Sequence, residues 1–159
     1  MRRRVVRQVV DDLDAVALLA ARANHRLILI LDADNTLVPQ GAPQNEFRDR
    51  VNDAISRFEQ IPTIEKAIVL TNGPRRGVDR MISRGNKPWT SRKRLGLVGG
   101  NTEVWVVGDQ VLTDGLLAWR LGALYLQRAI AETGEKPSQA AMRALGRIVS
   151  RLVFKRPPH

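Results

Sequence analysis

Apolar positions along the chain fall into two periods. Unbroken runs stand at Leu27–Leu31, Ala67–Leu70, Val104–Val107 and Ala123–Leu126. Runs of about four to eight apolar residues closed by turn formers predict strands buried on both faces, as in a parallel sheet. Between them the spacing becomes helical. Leu13, Val16, Ala17 and Ala20 share one face of a helix predicted over 5–24, and Phe47, Val51, Ile55 and Phe58 share one face of another over 44–59. The same reading predicts a basic helix over 75–84, a short helix over 89–96, a helix over 113–121 and a last helix over 137–154, begun at Pro137-Ser138. Breaks fall at Val38–Pro43, at Gly73-Pro74 and at Gly85–Pro88. One helix followed by alternating strands and helices predicts a three-layer, Rossmann-like α/β fold, a parallel sheet with helices on both faces. With 159 residues, the chain reads as a single domain over 1–159, with a basic C-terminal helix over 137–155 inside it and Met1–Arg4 frayed.

The ends of three strands carry the polar chemistry. The first runs into Asp32 and Asp34, the second into Thr71 and Asn72, the third into Asp109. In an open parallel sheet these carboxyl ends meet along one edge, where ligands bind. Two close carboxylates raise each other's pKa unless a cation neutralises them, and hard oxygen ligands favour Mg²⁺. One carboxylate can act as a nucleophile and its neighbour as an acid and base. The bland alternative for Asp32–Thr36 is a strand followed by an Asx-type turn. The Thr71 hydroxyl and nearby backbone N–H groups can hold a phosphate, and Lys87 can offset charge on a transferring phosphoryl group. Lys87 also has a bland reading, an exposed lysine before a turn. Asp109 and Asp114 can support a cation beside the first pair, whereas Asp11, Asp12 and Asp14 read as a solvated helix face.

Charge sharpens the picture. Residues 1–60 hold nine acids and nine bases, so the net charge of +10 lies entirely in 61–159. Arg75–Arg94 carries eight bases and one acid, and Lys136–His159 six bases and no acid. A basic half beside an acidic tip implies an anionic substrate or surface. No cysteine is present, which excludes disulfides and thiolate chemistry, and no apolar run approaches the roughly 20 residues of a membrane span. The expectation is a cytoplasmic protein, peripheral at a membrane if the C-terminal helix docks there. In that helix Arg143, Arg147, Arg151 and Lys155 recur every four residues beside a stripe of Ala141, Leu145, Ile148, Val149 and Leu152. Two readings stand. The stripe packs on the sheet with its cations solvated, the stronger claim because a small α/β domain needs its faces covered, or the helix lies in an anionic lipid interface.

With these residues in place, the chain resembles the haloacid dehalogenase-like (HAD) phosphatases. Asp32-Ala33-Asp34-Asn35-Thr36 is similar to their first motif, DxDxT; Thr71 in Leu-Thr-Asn to the second; Lys87 in Lys-Pro to the third; and Gly108–Asp114 to the fourth, GDxxxxD. The match covers 26–127, and its wording is most similar to the YqeG-like branch of subfamily IIIA. The resemblance implies a HAD-like domain hydrolysing phosphomonoesters, and the short loop 38–45, with no large insertion after either of the first two motifs, leaves no room for a cap domain. By it, Asp32 becomes an aspartyl-phosphate and Asp34 protonates the leaving oxygen and then activates water. Thr71, Asn72 and Lys87 contact the substrate, with Thr71 and Lys87 on the phosphoryl oxygens. Mg²⁺ is held by Asp32, the Asp34 carbonyl and Asp109, with Asp114 supporting from behind. It also implies a phosphatidylglycerophosphate-like lipid as substrate. A small phosphorylated metabolite or nucleotide is the alternative, and a basic nucleic-acid- or ribosome-binding module the rival from another class. The chain departs from the family pattern in having only 15 residues between Thr71 and Lys87. The helix–strand unit expected there must be abbreviated, with Val78–Ser83 the candidate strand and Arg75, Arg76 or Arg84 available to replace Lys87. No specific nucleic acid is expected as a partner, and the sequence leaves oligomeric state open.

Overall fold

A computed structural model describes residues 5–75, 77–97, 102–129 and 137–155, the last segment without the side chains of 137–140, 143 and 155. The strands are β1 (Val5–Val10), β2 (Leu27–Asp32), β3 (Ile64–Leu70), β4 (Met81–Ile82), β5 (Glu103–Gly108), β6 (Leu124–Arg128) and β7 (Phe154–Lys155). They form one sheet in the order β4-β3-β2-β5-β6-β1-β7, every pairing parallel. Four helices accompany them: α1 (Leu13–Ala21), α2 (Gln44–Glu59), α3 (Leu116–Leu121) and α4 (Pro137–Val153).

Alternation along β2 sorts the core into two layers. Leu27, Leu29 and Leu31 join Val16 and Ala20 of α1 and Phe47, Val51, Ile55 and Phe58 of α2 on one face. Ile28 and Ile30 join Leu117 and Ala118 of α3, with Val153 of α4 packed against them, on the other. All six residues of β2 are buried, as a central parallel strand requires. From β2 the chain moves outward to β3 and β4. It then returns to β5 on the opposite side of β2 and continues to β6. The order therefore reverses between β2 and β5, the place where such sheets bind ligands. No inserted domain stands over this edge among the described residues.

Four local readings need correction. Val5–Val10 is a strand, so the first helix does not span 5–24. Four β-branched valines favour the pleated surface beside β6, and Asp12 caps the helix by accepting from the Ala15 N–H at 2.8 Å. Residues 75–84 do not form a helix: Gly77 and Arg84 take positive φ of 78° and 48°, and the segment offers only the two-residue β4. Residues 89–96 hold no helix: turns run over 92–96 and end at Gly96 with φ 66°. Helix α3 starts at Leu116, because Val111–Gly115 forms a wide π turn instead. Met1–Arg4 and Arg76 lie outside the described residues.

Candidate active site

Strand register brings the predicted chemistry to one edge. Asp32 is the last residue of β2 and pairs with Leu70, so Thr71 stands just beyond it on the neighbouring strand. On the other side Leu31 pairs with Val107, which places Gly108 and Asp109 beside Asp32. Lys87 arrives from the loop after β4. That two-residue strand continues the sheet, with Ile82 opposite Leu70, so the shortened connection suffices. The Asn72 carboxamide accepts from the Lys87 N–H at 2.7 Å and fixes where the loop returns.

The Lys87 ammonium donates to Asp32 and, at 2.6 Å, to Asp114, and all three side chains are buried. Lys87 is thus an internal counter-ion rather than an exposed lysine; Arg75 pairs with Asp34 instead, and Arg76 lies outside the described residues. Asp114 also accepts from the Gln110 N–H at 3.2 Å, across the wide turn that presents it. Such turns are frequent at functional positions. Gly108 makes room for this approach, since a Cβ there would overlap the Asp114 carboxylate. Asp32 receives a second contact from the Thr36 hydroxyl at 3.2 Å.

Oxygens of Asp32, Asp109 and Asp114 lie within 4.8 Å of one another. Burial and the charge of Asp114 hold the Asp32 pKa well above its usual range, and the same two causes push Asp109 up to about 6. The carboxylates in return hold the Lys87 ammonium in its charged form despite burial. Three carboxylates against one ammonium leave the cluster short of positive charge. Hard, crowded oxygen donors of this kind fit a divalent cation, so the donor set could hold a metal ion. The set differs in membership from the one implied by resemblance: Asp114 lies inside the cluster rather than behind it.

Asp34 faces a different environment, 28% exposed. Its carboxylate accepts from the Thr71 hydroxyl at 3.2 Å and from the Arg75 guanidinium at 3.3 Å. Arg75 stacks on Phe47, 4.5 Å from its ring centroid, and donates to the Ala42 carbonyl at 3.1 Å. It therefore braces the acid and the loop before α2 together. Arg84 meets none of the carboxylates; its carbonyl accepts from Arg94. Two supports escaped sequence reasoning. Arg128, at the tip of β6, donates to the carbonyls of Asn35 (3.0 Å) and Thr36. Gln127 donates to the Asp109 carbonyl at 3.3 Å and accepts from Arg7 at 2.7 Å. Both close a strand whose sequence neighbours hold none of the motifs, and their end position on β6 is the one signal that marked them.

Comparison of the chain with family models, with curated proteins and with solved structures finds no match. What defines the class is therefore the fold and the site themselves: a parallel α/β protein with a buried carboxylate–lysine cluster at its switch point.

Proposed function

We propose that this protein is a Mg²⁺-dependent phosphomonoester hydrolase of the HAD type, acting through an aspartyl-phosphate on Asp32. The observation that carries the reading is the division of labour between Asp32 and Asp34. The first sits buried against Lys87 in a cluster suited to a cation; the second, two residues on, sits apart on Thr71 and Arg75. Environments that separate two carboxylates in this way assign them different roles.

In this reading Asp32 Oδ attacks phosphorus, the bond from phosphorus to the leaving oxygen breaks, and Asp34 delivers the proton that oxygen needs. Asp34 then takes a proton from water, which attacks the aspartyl-phosphate and releases phosphate. The Lys87 ammonium and the Thr71 hydroxyl hold the phosphoryl oxygens as charge spreads over them. Mg²⁺ held by Asp32, Asp109 and the Asp34 carbonyl, with Asp114 beside them, would supply further charge neutralisation at the same place. Asn72 acts by seating Lys87 through its backbone.

No inserted domain covers the sheet edge among the described residues, which suits bulky or surface-held substrates, and a phosphatidylglycerophosphate-like lipid is the substrate class we favour. The buried acidic cluster speaks against a nucleic-acid-binding module, since it would repel phosphate without a cation. Release of inorganic phosphate from a panel of small phosphomonoesters and phosphatidylglycerophosphate vesicles tests the proposal. Release should require Mg²⁺, stop with EDTA and return on re-addition. Undiminished activity after exhaustive chelation removes the metal role, and silence across the panel removes the hydrolase.

A further inference from the structure

Helix α4 covers the molecule with only part of its circumference. A Cβ on Gly146 would stand 3.2 Å from Val111 Cβ, so the backbone packs directly on the wide turn after β5. Ser150 is buried and Val153 packs against the core on that side. These positions share one face at helical spacing. Leu145, Ile148 and Leu152 do not: they are 53%, 60% and 71% exposed. The apolar stripe expected to cover the sheet is therefore turned largely outward. Arg147 and Arg151, four residues apart and exposed, form a row beside it. Arg143 and Lys155, whose side chains lie outside the described set, continue that row in the sequence, and no acid occurs from Lys136 to His159.

We propose that the outer face of α4 docks on an anionic lipid bilayer. The occupant follows from the pairing of features. An exposed apolar row seeks a dry surface, and a flanking row made wholly of cations seeks anions at its rim. A second copy of the chain would set cation against cation, whereas an anionic bilayer offers acyl chains to the leucines and headgroup phosphates to the guanidinium groups. The net charge of +10, all carried by 61–159, draws the same half toward such a surface. The proposal rests on exposure and charge and stands apart from the hydrolase reading.

The test is co-sedimentation of the full chain with phosphatidylcholine vesicles, with and without phosphatidylglycerol, at low and moderate salt. The protein should bind the anionic vesicles and release as salt rises. The double variant Arg147→Gln/Arg151→Gln should lose about thirtyfold in affinity, the scale of two cations at a charged surface. The triple variant Leu145→Ser/Ile148→Ser/Leu152→Ser should lose at least about tenfold while its melting temperature falls by no more than about 4 °C, the scale of the helix propensity lost at side chains that already face water. Equal binding to neutral and anionic vesicles, or none to either at low salt, overturns the proposal. So does anionic binding untouched by the triple variant and matched by RNA, which would mark general polyanion attraction. A dimer in solution that the triple variant disperses would assign the face to a second copy and overturn it as well.

Discussion

The carboxyl edge of the sheet and the outer face of α4 break the ordinary rule of burial in opposite directions. At the edge, Asp32, Asp114 and Lys87 are taken out of water. On α4, Leu145, Ile148 and Leu152 are left in it. Each arrangement costs free energy that folding alone does not return: desolvated charges in the first case, unburied apolar area in the second. The edge reduces its cost internally, because Lys87 bridges two carboxylates and the Gln110 N–H and Thr36 hydroxyl each donate to one of them. The helix face has no such partner among the described residues. On the proposed reading, buried charge marks a place for a small ion and a reacting group, and exposed apolar surface a place for something larger.

The largest test of the contrast is Asp32→Asn. The amide neither attacks phosphorus nor carries the charge that Lys87 answers, so turnover should fall by at least about a thousandfold, the upper scale for loss of one charge-bearing group in a site. Kinetics with a good leaving group would show it, and activity within tenfold of wild type would end the assignment of Asp32. Lys87→Ala comes next. It leaves Asp32 and Asp114 buried without their cation, a change that costs about 3–5 kcal/mol where one partner of a buried pair is removed. Urea unfolding should show that loss in the metal-free protein, and Mg²⁺ should restore part of it. Arg75→Ala, by contrast, removes a brace on the partly exposed Asp34, and its stability cost should be well below that of Lys87→Ala.

A third prediction concerns pH. The Asp109 carboxyl is raised to about 6 by burial and the charge of Asp114, and Asp32 is raised for the same reasons. A folded-state pKa above the unfolded value means that the native state binds protons more tightly. The resulting stabilisation is complete below about pH 4 and is lost as pH climbs through about 6. Other groups add their own slopes, so the clean measurement is a difference. Between pH 4 and 7, metal-free wild type should lose several degrees of melting temperature relative to Asp109→Asn. Saturating Mg²⁺ at pH 7 should narrow that gap, and parallel pH curves for the two proteins would contradict the charge deficit of the cluster.

The parts of the molecule that were legible in the sequence are those where one physical demand dominates. Strand β2 is buried along its whole length, and β3, β5 and β6 each hold a run of buried apolar residues, so these runs and the polar residues closing them stand out. Strand β1 was hidden. Val5-Val6-Arg7-Gln8-Val9-Val10 fits neither period cleanly, because it lies one strand in from the edge, beside the two-residue β7, and its middle is only half-buried. The reach of Lys87 was also hidden. It depends on a two-residue strand and on positive φ at Arg84 and Asn86, 48° and 54°, which let a short loop turn back over β3. Asp12 shows the converse: its cap on α1 was spelled in the sequence, and the helical pattern of the residues around it obscured the boundary.

The smallest expected effect separates the two regions most sharply. Leu29 and Leu152 are both leucines on regular elements, but Leu29 has no exposed surface and Leu152 is 71% exposed. Replacing Leu29 with Ala deletes atoms packed on every side between β2 and the α1–α2 layer, at about 2–5 kcal/mol. Replacing Leu152 with Ser removes little that is buried on folding, so its cost should stay within about 0.5 kcal/mol. The serine lowers helix propensity by a few tenths of a kcal/mol, which sets the floor for that change. Urea unfolding of the two variants without lipid measures both. A loss of more than about 1 kcal/mol for Leu152→Ser would mean that the α4 face is held by the protein itself, since exposed apolar side chains do not contribute on that scale. A near-zero value, beside a large one for Leu29→Ala, would leave the exposed leucines with no role in folding and assign their apolar area to a surface outside the chain.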